Sequence, residues 1–210
     1  PKQASEFLLP GLRRLEYRGY DSAGIVTLEE GDLAIYKSAG RVEDLARLLK
    51  EQEPQGTIGV GHTRWATHGP ATDANAHPHV DSHRVLALVH NGVIENYSTL
   101  KKRLVEAGYE FQTATDSEVI AQLIAYELDQ IADQGADLDP YSPLIQAVQA
   151  ALAQLTGTYG LAIVFRDWPD AIIAARLGSP LVIGVGNGEH YIASDGSPLA
   201  GHTDKIVYLA

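Results

Sequence analysis

The order of the apolar patterns constrains this chain more than any single motif. Strand-sized apolar runs occupy both ends, and helical periodicities fill the middle. Residues 22–28 and 33–38 read as strands, with Glu29-Glu30-Gly31-Asp32 as the hairpin turn between them. Residues 57–63 and 84–90 are two more strands. Phe7, Leu8, Leu12 and Leu15 recur at helical spacing, and Pro10 is expected to kink that helix or shift its start. Residues 42–50 form a short helix, and 96–107 another with Gly108 at its C-terminal cap. Residues 116–133 make the longest helix, with Val119, Ile120, Leu123, Ile124 and Leu128 on its apolar face. Ser142-Pro143 opens a further helix, Ser as N-cap and Pro at the first position. Strands return at 159–165, 171–176, 181–185, 191–194 and 206–209. A doubly wound parallel fold needs regular strand–helix alternation, which is absent. The pattern predicts two sheets covered by helices, of α+β class.

Composition narrows the function. The chain has 210 residues, enough for one domain with a sizeable core. It carries 16 Lys+Arg against 27 Asp+Glu, a formal net charge of −11. That acidity argues against non-specific nucleic-acid binding, which needs a basic surface. There is no Cys, which excludes disulfides, thiolate metal sites and a cysteine nucleophile among these residues. No apolar run approaches the roughly 18 residues of a membrane span, and no signal peptide is visible. The first residue is Pro1 and there is no Met, so the sequence reads as processed, cut or incomplete at its start.

Residues 64–82 form a long irregular stretch rich in His, Pro, Asn and Thr. Loops of that length in a compact domain are usually functional or disordered. It opens with Gly61-His62-Thr63-Arg64-Trp65-Ala66-Thr67-His68-Gly69 at a strand end. Arg64 offers a planar fork that matches a carboxylate, Trp65 a flat wall, and Thr67 and His68 short-range polar groups. The structural alternative is an Arg paired to a neighbouring Asp. His90-Asn91-Gly92 ends a strand. Asn-Gly is a hairpin signal, yet a helix follows. An Asn amide and a Gly N–H also make a good oxyanion pair. In Thr115-Asp116-Ser117-Glu118, Thr115 and Glu118 have capping-box spacing. Asp116 is left at the first helical position, where it favours the helix dipole and is free to bind a cation.

Six of the eight His fall between His62 and His90. A metal site is disfavoured, because only Asp73 and Asp81 are nearby carboxylates and zinc-ligand spacing is missing. Gly184-Val185-Gly186-Asn187-Gly188 is followed by a strand and not a helix, so a dinucleotide loop is excluded and no cofactor is expected. Arg64, Asp116 and the Asn91/Gly92 pair share one logic. A carboxylate clamp, an ammonium acceptor and oxyanion donors suit free glutamine, whose side-chain amide is attacked. The nucleophile is missing.

These residues carry a resemblance. Leu15-Glu16-Tyr17-Arg18-Gly19-Tyr20-Asp21-Ser22-Ala23-Gly24, the run from His62 to Gly69, Asn75-Ala76-His77-Pro78-His79, the run from His90 to Asn96 and the run from Thr115 to Ile120 occur in order. Ala193-Ser194-Asp195 and Gly201-His202-Thr203-Asp204 extend it to nearly the whole chain. The chain closely resembles the glutaminase domains of the glutamine–fructose-6-phosphate aminotransferase (isomerizing) family, which are class II glutamine amidotransferases. The resemblance implies an N-terminal-nucleophile hydrolase fold, a four-layer αββα sandwich. It implies an N-terminal cysteine that attacks the glutamine amide, its own α-amino group serving as base. A glutamyl thioester forms and is hydrolysed, and ammonia passes to a C-terminal isomerase domain that aminates fructose 6-phosphate.

By position, Arg64 resembles the residue that grips the substrate carboxylate, with Thr67 and His68 assisting. Asp116 resembles the ammonium partner, Asn91 and Gly92 the oxyanion pair, and Trp65 a loop residue covering bound glutamine. Arg18 and His77 resemble residues that line or support the site. The family opens with a Cys-Gly-Ile-Val-Gly-like strand that is not among these residues. Residues 1–210 are therefore expected to be one glutaminase domain without its first strand and without the isomerase domains. Expected partners are L-glutamine or L-glutamate, the linked isomerase domain, and a second copy in a full-length homodimer. Nucleic acid, membrane and metal are not expected, and the location is cytoplasmic. Two alternatives stand beside this: another class II amidotransferase, which the 16–24 run opposes, and a non-catalytic glutamine- or glutamate-binding fragment.

Overall fold

A computed structural model describes residues 2–132 and 141–209. Asp133, the expected end of the longest helix, and Pro1 lie outside the described residues. The first sheet is organised by one tight turn. Glu30 and Gly31 take positive φ, 50° and 83°. That left-handed pair matches the twist of an antiparallel hairpin. It joins β1 (Ser22–Glu29) to β2 (Asp32–Ala39), with Glu29 opposite Asp32. β3 (Gly59–Arg64) pairs with the other side of β1, giving the order β2-β1-β3. The second sheet has the order β4-β5-β6-β7: β4 (His79–Val80), β5 (Leu86–Ile94), β6 (Gly157–Phe165) and β7 (Trp168–Leu177). Every ladder between these strands is antiparallel.

Period-two alternation stacks the layers. Ile25 points outward from the first sheet, against Leu12 of α1 (Ala4–Leu15) and Leu45 and Leu49 of α2 (Val42–Gln52). Its neighbour Val26 points inward, with Leu28 and Val60, against Ala87, Val89, Ala162 and Val164 of the second sheet. Leu88, Ile163 and Phe165 face the far side. There they pack on α3 (Tyr97–Glu106), α4 (Asp116–Ala132) and α5 (Ser142–Leu152), chiefly through Leu104, Ile120, Leu123, Ile124 and Leu144. Helices, sheet, sheet and helices make the αββα sandwich. Glu16 ties two of these parts together. Its carboxylate accepts from the Val42 N–H at 2.8 Å, at a helix start where an anion is favoured.

Four expectations change. α1 starts at Ala4 and runs through Pro10, which keeps a solvent-facing position inside it. The missing Pro N–H is tolerated because Gly11 and Leu12 still bury the helix against the sheet. Asn91-Gly92 does not end its strand: β5 continues to Ile94, because β6 pairs with it residue by residue through Ile94↔Gly157. Ser142 is the first helical residue rather than the cap, and Pro143 follows it. Finally, β8 (Val182–Val185), β9 (His190–Ala193) and β10 (Ile206–Tyr208) form a small third sheet, ordered β10-β8-β9, anchored on Phe7 through Tyr191 and Leu199. β3 and β9 are each the last strand of their sheet, and one cleft is lined by both.

Candidate active site

That cleft has a volume of about 1540 Å³. It exceeds the roughly 300–1,000 Å³ usual for a single small ligand, because it also runs along the two free strand edges. Arg18, Arg64, Trp65, Thr67, His68, His77, Asn91, Gly92 and Asp116 all line it. Folding thus gathers every candidate taken from the sequence, across 98 positions of chain from Arg18 to Asp116.

The loop after β3 is built around Arg64, which is 4% exposed. Its Nη2 donates to the carbonyls of His68 and Gly69, and its Nη1 to Pro70 at 3.3 Å. Asp21 lies 3.8 Å away and also accepts from the Ala66 N–H. The structural alternative is therefore realised in part: Arg64 moulds the 65–70 loop, with Asp21 beside it, while still lining the cleft. Asn75 holds the other end of this loop. Its Nδ2 donates to the Pro70 carbonyl, and its Oδ1 accepts from the Ala114 N–H, both at 3.0 Å. Trp65 stands at the mouth, 60% exposed and edge-on to Tyr20 at 5.4 Å. Arg18 donates to Ser194 Oγ and Asp195 Oδ2 at 3.1 and 3.2 Å, which joins the third sheet to the rim.

Asp116 is 3% exposed at the first turn of α4. Its Oδ2 accepts from the Ile94 N–H at 2.8 Å. Its Oδ1 lies 3.7 Å from His68 Nδ1, a buried atom with no hydrogen-bond partner. An ammonium group set between them would gain a charge-assisted bond. The capping box is half formed. Thr115 Oγ1 accepts from the Glu118 N–H at 3.3 Å, but the Glu118 carboxylate turns to the N–H groups of Gln112 and Thr113.

Gly92 has φ 138°, and a Cβ there would lie 2.1 Å from the Thr158 carbonyl. Only glycine lets β5 pass that carbonyl. Residues 62–200 match the glutamine amidotransferase domain family. The chain belongs to the glutamine amidotransferase family. It is 46% identical to a glutamine–fructose-6-phosphate aminotransferase (isomerizing) of Bacteroides thetaiotaomicron, over 99% of this chain and 33% of that protein. A protein of the same name from Zymomonas mobilis is 48% identical over 98% of this chain and 32% of its own length. The chain spans about a third of the length of these relatives. Among solved structures, a glutamine phosphoribosylpyrophosphate amidotransferase from B. subtilis superposes with a TM-score of 0.77 at 27% identity, over 99% of this chain and 42% of that one. The fold is the α+β sandwich of the N-terminal-nucleophile hydrolases.

In this amidotransferase domain the histidines form a buried hydrogen-bond system, which the sequence does not disclose. Thr158 O can only accept, so His90 Nε2 donates to it at 3.2 Å. His90 Nδ1 then accepts from Ser117 Oγ at 2.9 Å. Ser117 Oγ in turn takes the His77 Nε2 proton at 3.4 Å, and His77 Nδ1 accepts from the His90 N–H at 3.3 Å. Every proton is assigned only if both rings are neutral. Burial holds the pKa of His77, His79 and His90 below the ordinary value, so they are. His79 Nε2 pairs with Thr115 Oγ1 at 3.2 Å. Ser117 is the hub that reading by residue type missed. Its only signal was its place between Asp116 and Glu118.

Among the described residues, no group of three or more His, Cys, Asp or Glu has metal-holding geometry, and no helix is long and apolar enough to cross a membrane.

Proposed function

We propose that this chain is the glutamine-hydrolysing domain of a glutamine–fructose-6-phosphate aminotransferase. It releases ammonia from L-glutamine, and a linked sugar-phosphate isomerase domain uses that ammonia to aminate fructose 6-phosphate. The observation that carries this reading is identity of 46–48% over essentially the whole chain to proteins of that name. The lower identity, 27%, to a phosphoribosylpyrophosphate amidotransferase supports this reading over that class II enzyme.

In this reading Arg64, helped by Thr67 and His68, binds the glutamine α-carboxylate, and Asp116 binds its α-ammonium. Asn91 Nδ2 and the Gly92 N–H stabilise the tetrahedral oxyanion without adding charge. Trp65 closes over the ligand, and Arg18 and His77 support the walls. The nucleophile is a cysteine on a strand that precedes Pro1. Two end strands, β3 and β9, line one cleft, and this supports the reading, since an end strand offers backbone groups to a further strand. Residues 1–210 are then a single domain, working in the cytoplasm as part of a homodimer.

The test is ammonia release from glutamine by the full-length protein, with and without fructose 6-phosphate. Turnover that disappears when the cysteine is replaced by alanine supports the reading, and absence of turnover overturns it. The present chain is expected to release no ammonia but to bind L-glutamate in calorimetry. Arg64→Ala and Asp116→Asn should each weaken that binding roughly 10- to 100-fold, the value of one charge-assisted hydrogen-bonded pair. Equal binding by wild type and variants refutes the clamp.

A further inference from the structure

Among the described residues, the Asn91 amide is held by one side chain. His62 Nε2 lies 3.0 Å from Asn91 Oδ1. No described group accepts from Asn91 Nδ2, and Asn91 lines the cleft. His62 is stacked on His77, ring centroids 4.2 Å apart at 22°, which opposes tilting of its ring. Its other nitrogen, Nδ1, is buried with no partner.

We propose that His62 is a positioning residue whose Nε2–H tautomer fixes which end of the Asn91 amide faces the cleft. Two proton arrangements are compatible with the 3.0 Å contact. In one, His62 Nε2–H donates to Asn91 Oδ1, and both Nδ2 protons stay free for an oxyanion. In the other, the proton sits on Nδ1 and the amide flips, spending Nδ2–H on His62 and turning Oδ1 into the cleft. The second arrangement leaves an N–H buried with no acceptor at Nδ1. Orphaned buried donors are the rarest unsatisfied groups in folded proteins. It also aims a carbonyl oxygen at developing negative charge. The orphaned Nδ1 therefore selects the donor-ready amide. The ring is neutral at ordinary pH, because burial holds its pKa down to about 4, so one nitrogen always carries the choice.

This inference rests on the oxyanion role proposed for Asn91, and its test separates the two. In the present chain, nitrogen-15 NMR of the imidazoles reads the tautomer directly and needs no catalysis. A proton on His62 Nε2 is expected; a proton on Nδ1 overturns the inference. In the full-length protein, His62→Leu removes the donor, while His62→Gln keeps an N–H near the Nε2 position. Misplacing a transition-state donor costs up to about 100-fold. His62→Leu should lower the glutaminase kcat by roughly that factor with KM for glutamine changed less than about threefold, and His62→Gln should recover most of it. If wild type turns over glutamine and His62→Leu matches it, or if both variants lose kcat equally, the positioning role is wrong. If wild type shows no turnover, the glutaminase reading itself has failed, and the tautomer measurement still decides the geometry.

Discussion

Ser117 shows how much one small side chain can organise. Its hydroxyl donates to His90 and accepts from His77, and each of those rings spends its second nitrogen on a main-chain group. Ser117→Ala removes both bonds without changing shape and leaves two buried imidazole nitrogens unsatisfied. The expected loss is about 1–3 kcal/mol of stability, measurable as a fall in the urea midpoint at pH 7. A change in the nitrogen-15 tautomer pattern of His77 and His90 should accompany it. A variant as stable as wild type with both tautomers unchanged contradicts the proton assignment. Nothing local to Ser117 announces this role, since its partners lie 27 and 40 positions away.

Strands and turns respond to the same substitution to different degrees. Gly31 and Gly92 both have positive φ, 83° and 138°. At Gly31 a Cβ would meet nothing within 4 Å, whereas at Gly92 it would meet the Thr158 carbonyl at 2.1 Å. Gly31→Ala should cost only the left-handed backbone penalty, about 1 kcal/mol. Gly92→Ala adds a collision with β6 and should cost about 3 kcal/mol or more. Denaturant titration of both variants checks the order, and equal costs would contradict the register of β5 on β6. The sequence shows both as Glu-Gly or Asn-Gly steps in alternating patterns. It correctly assigns the first to a hairpin. It misassigns the second as a strand end, because only pairing with β6 carries β5 past Gly92. The capping box was legible in the same partial way: Thr115 caps α4, but Glu118 finds better donors in the preceding loop.

For the molecule as a unit, the buried histidines set the response to acid. His62, His77, His79 and His90 all have pKa values lowered by burial, His62 to about 4. An unfolded chain protonates histidine near 6.5. Below that pH the unfolded state binds protons that the folded state refuses. Stability is therefore whole above about pH 6.5 and is lost as pH falls toward 4. Urea midpoints at pH 7, 5.5 and 4.5 should fall steeply in order. Replacing His79 by Gln should flatten the slope, and an unchanged slope would mean His79 is not buried neutral.

Alternation and helical period sufficed to read the α+β class and most element positions, because each follows from which face of a local element is apolar; the αββα layering was legible only through the family resemblance. The ordered motifs identified the family and nine residues that the fold places on the cleft. They did not reveal that Arg64 folds its own loop, that the last three strands form a separate sheet, or that Ser117 links His77 and His90 in one hydrogen-bond chain. Those facts depend on partners brought together from 4 to 68 positions apart in the hydrogen bonds of Arg64 and His90. Hydrogen-bond direction is set by which atom meets which in space, and residue order carries no such information. The donor-ready face of Asn91 is of this kind: its chemistry is written in the residue type, but its orientation comes from a histidine 29 positions away.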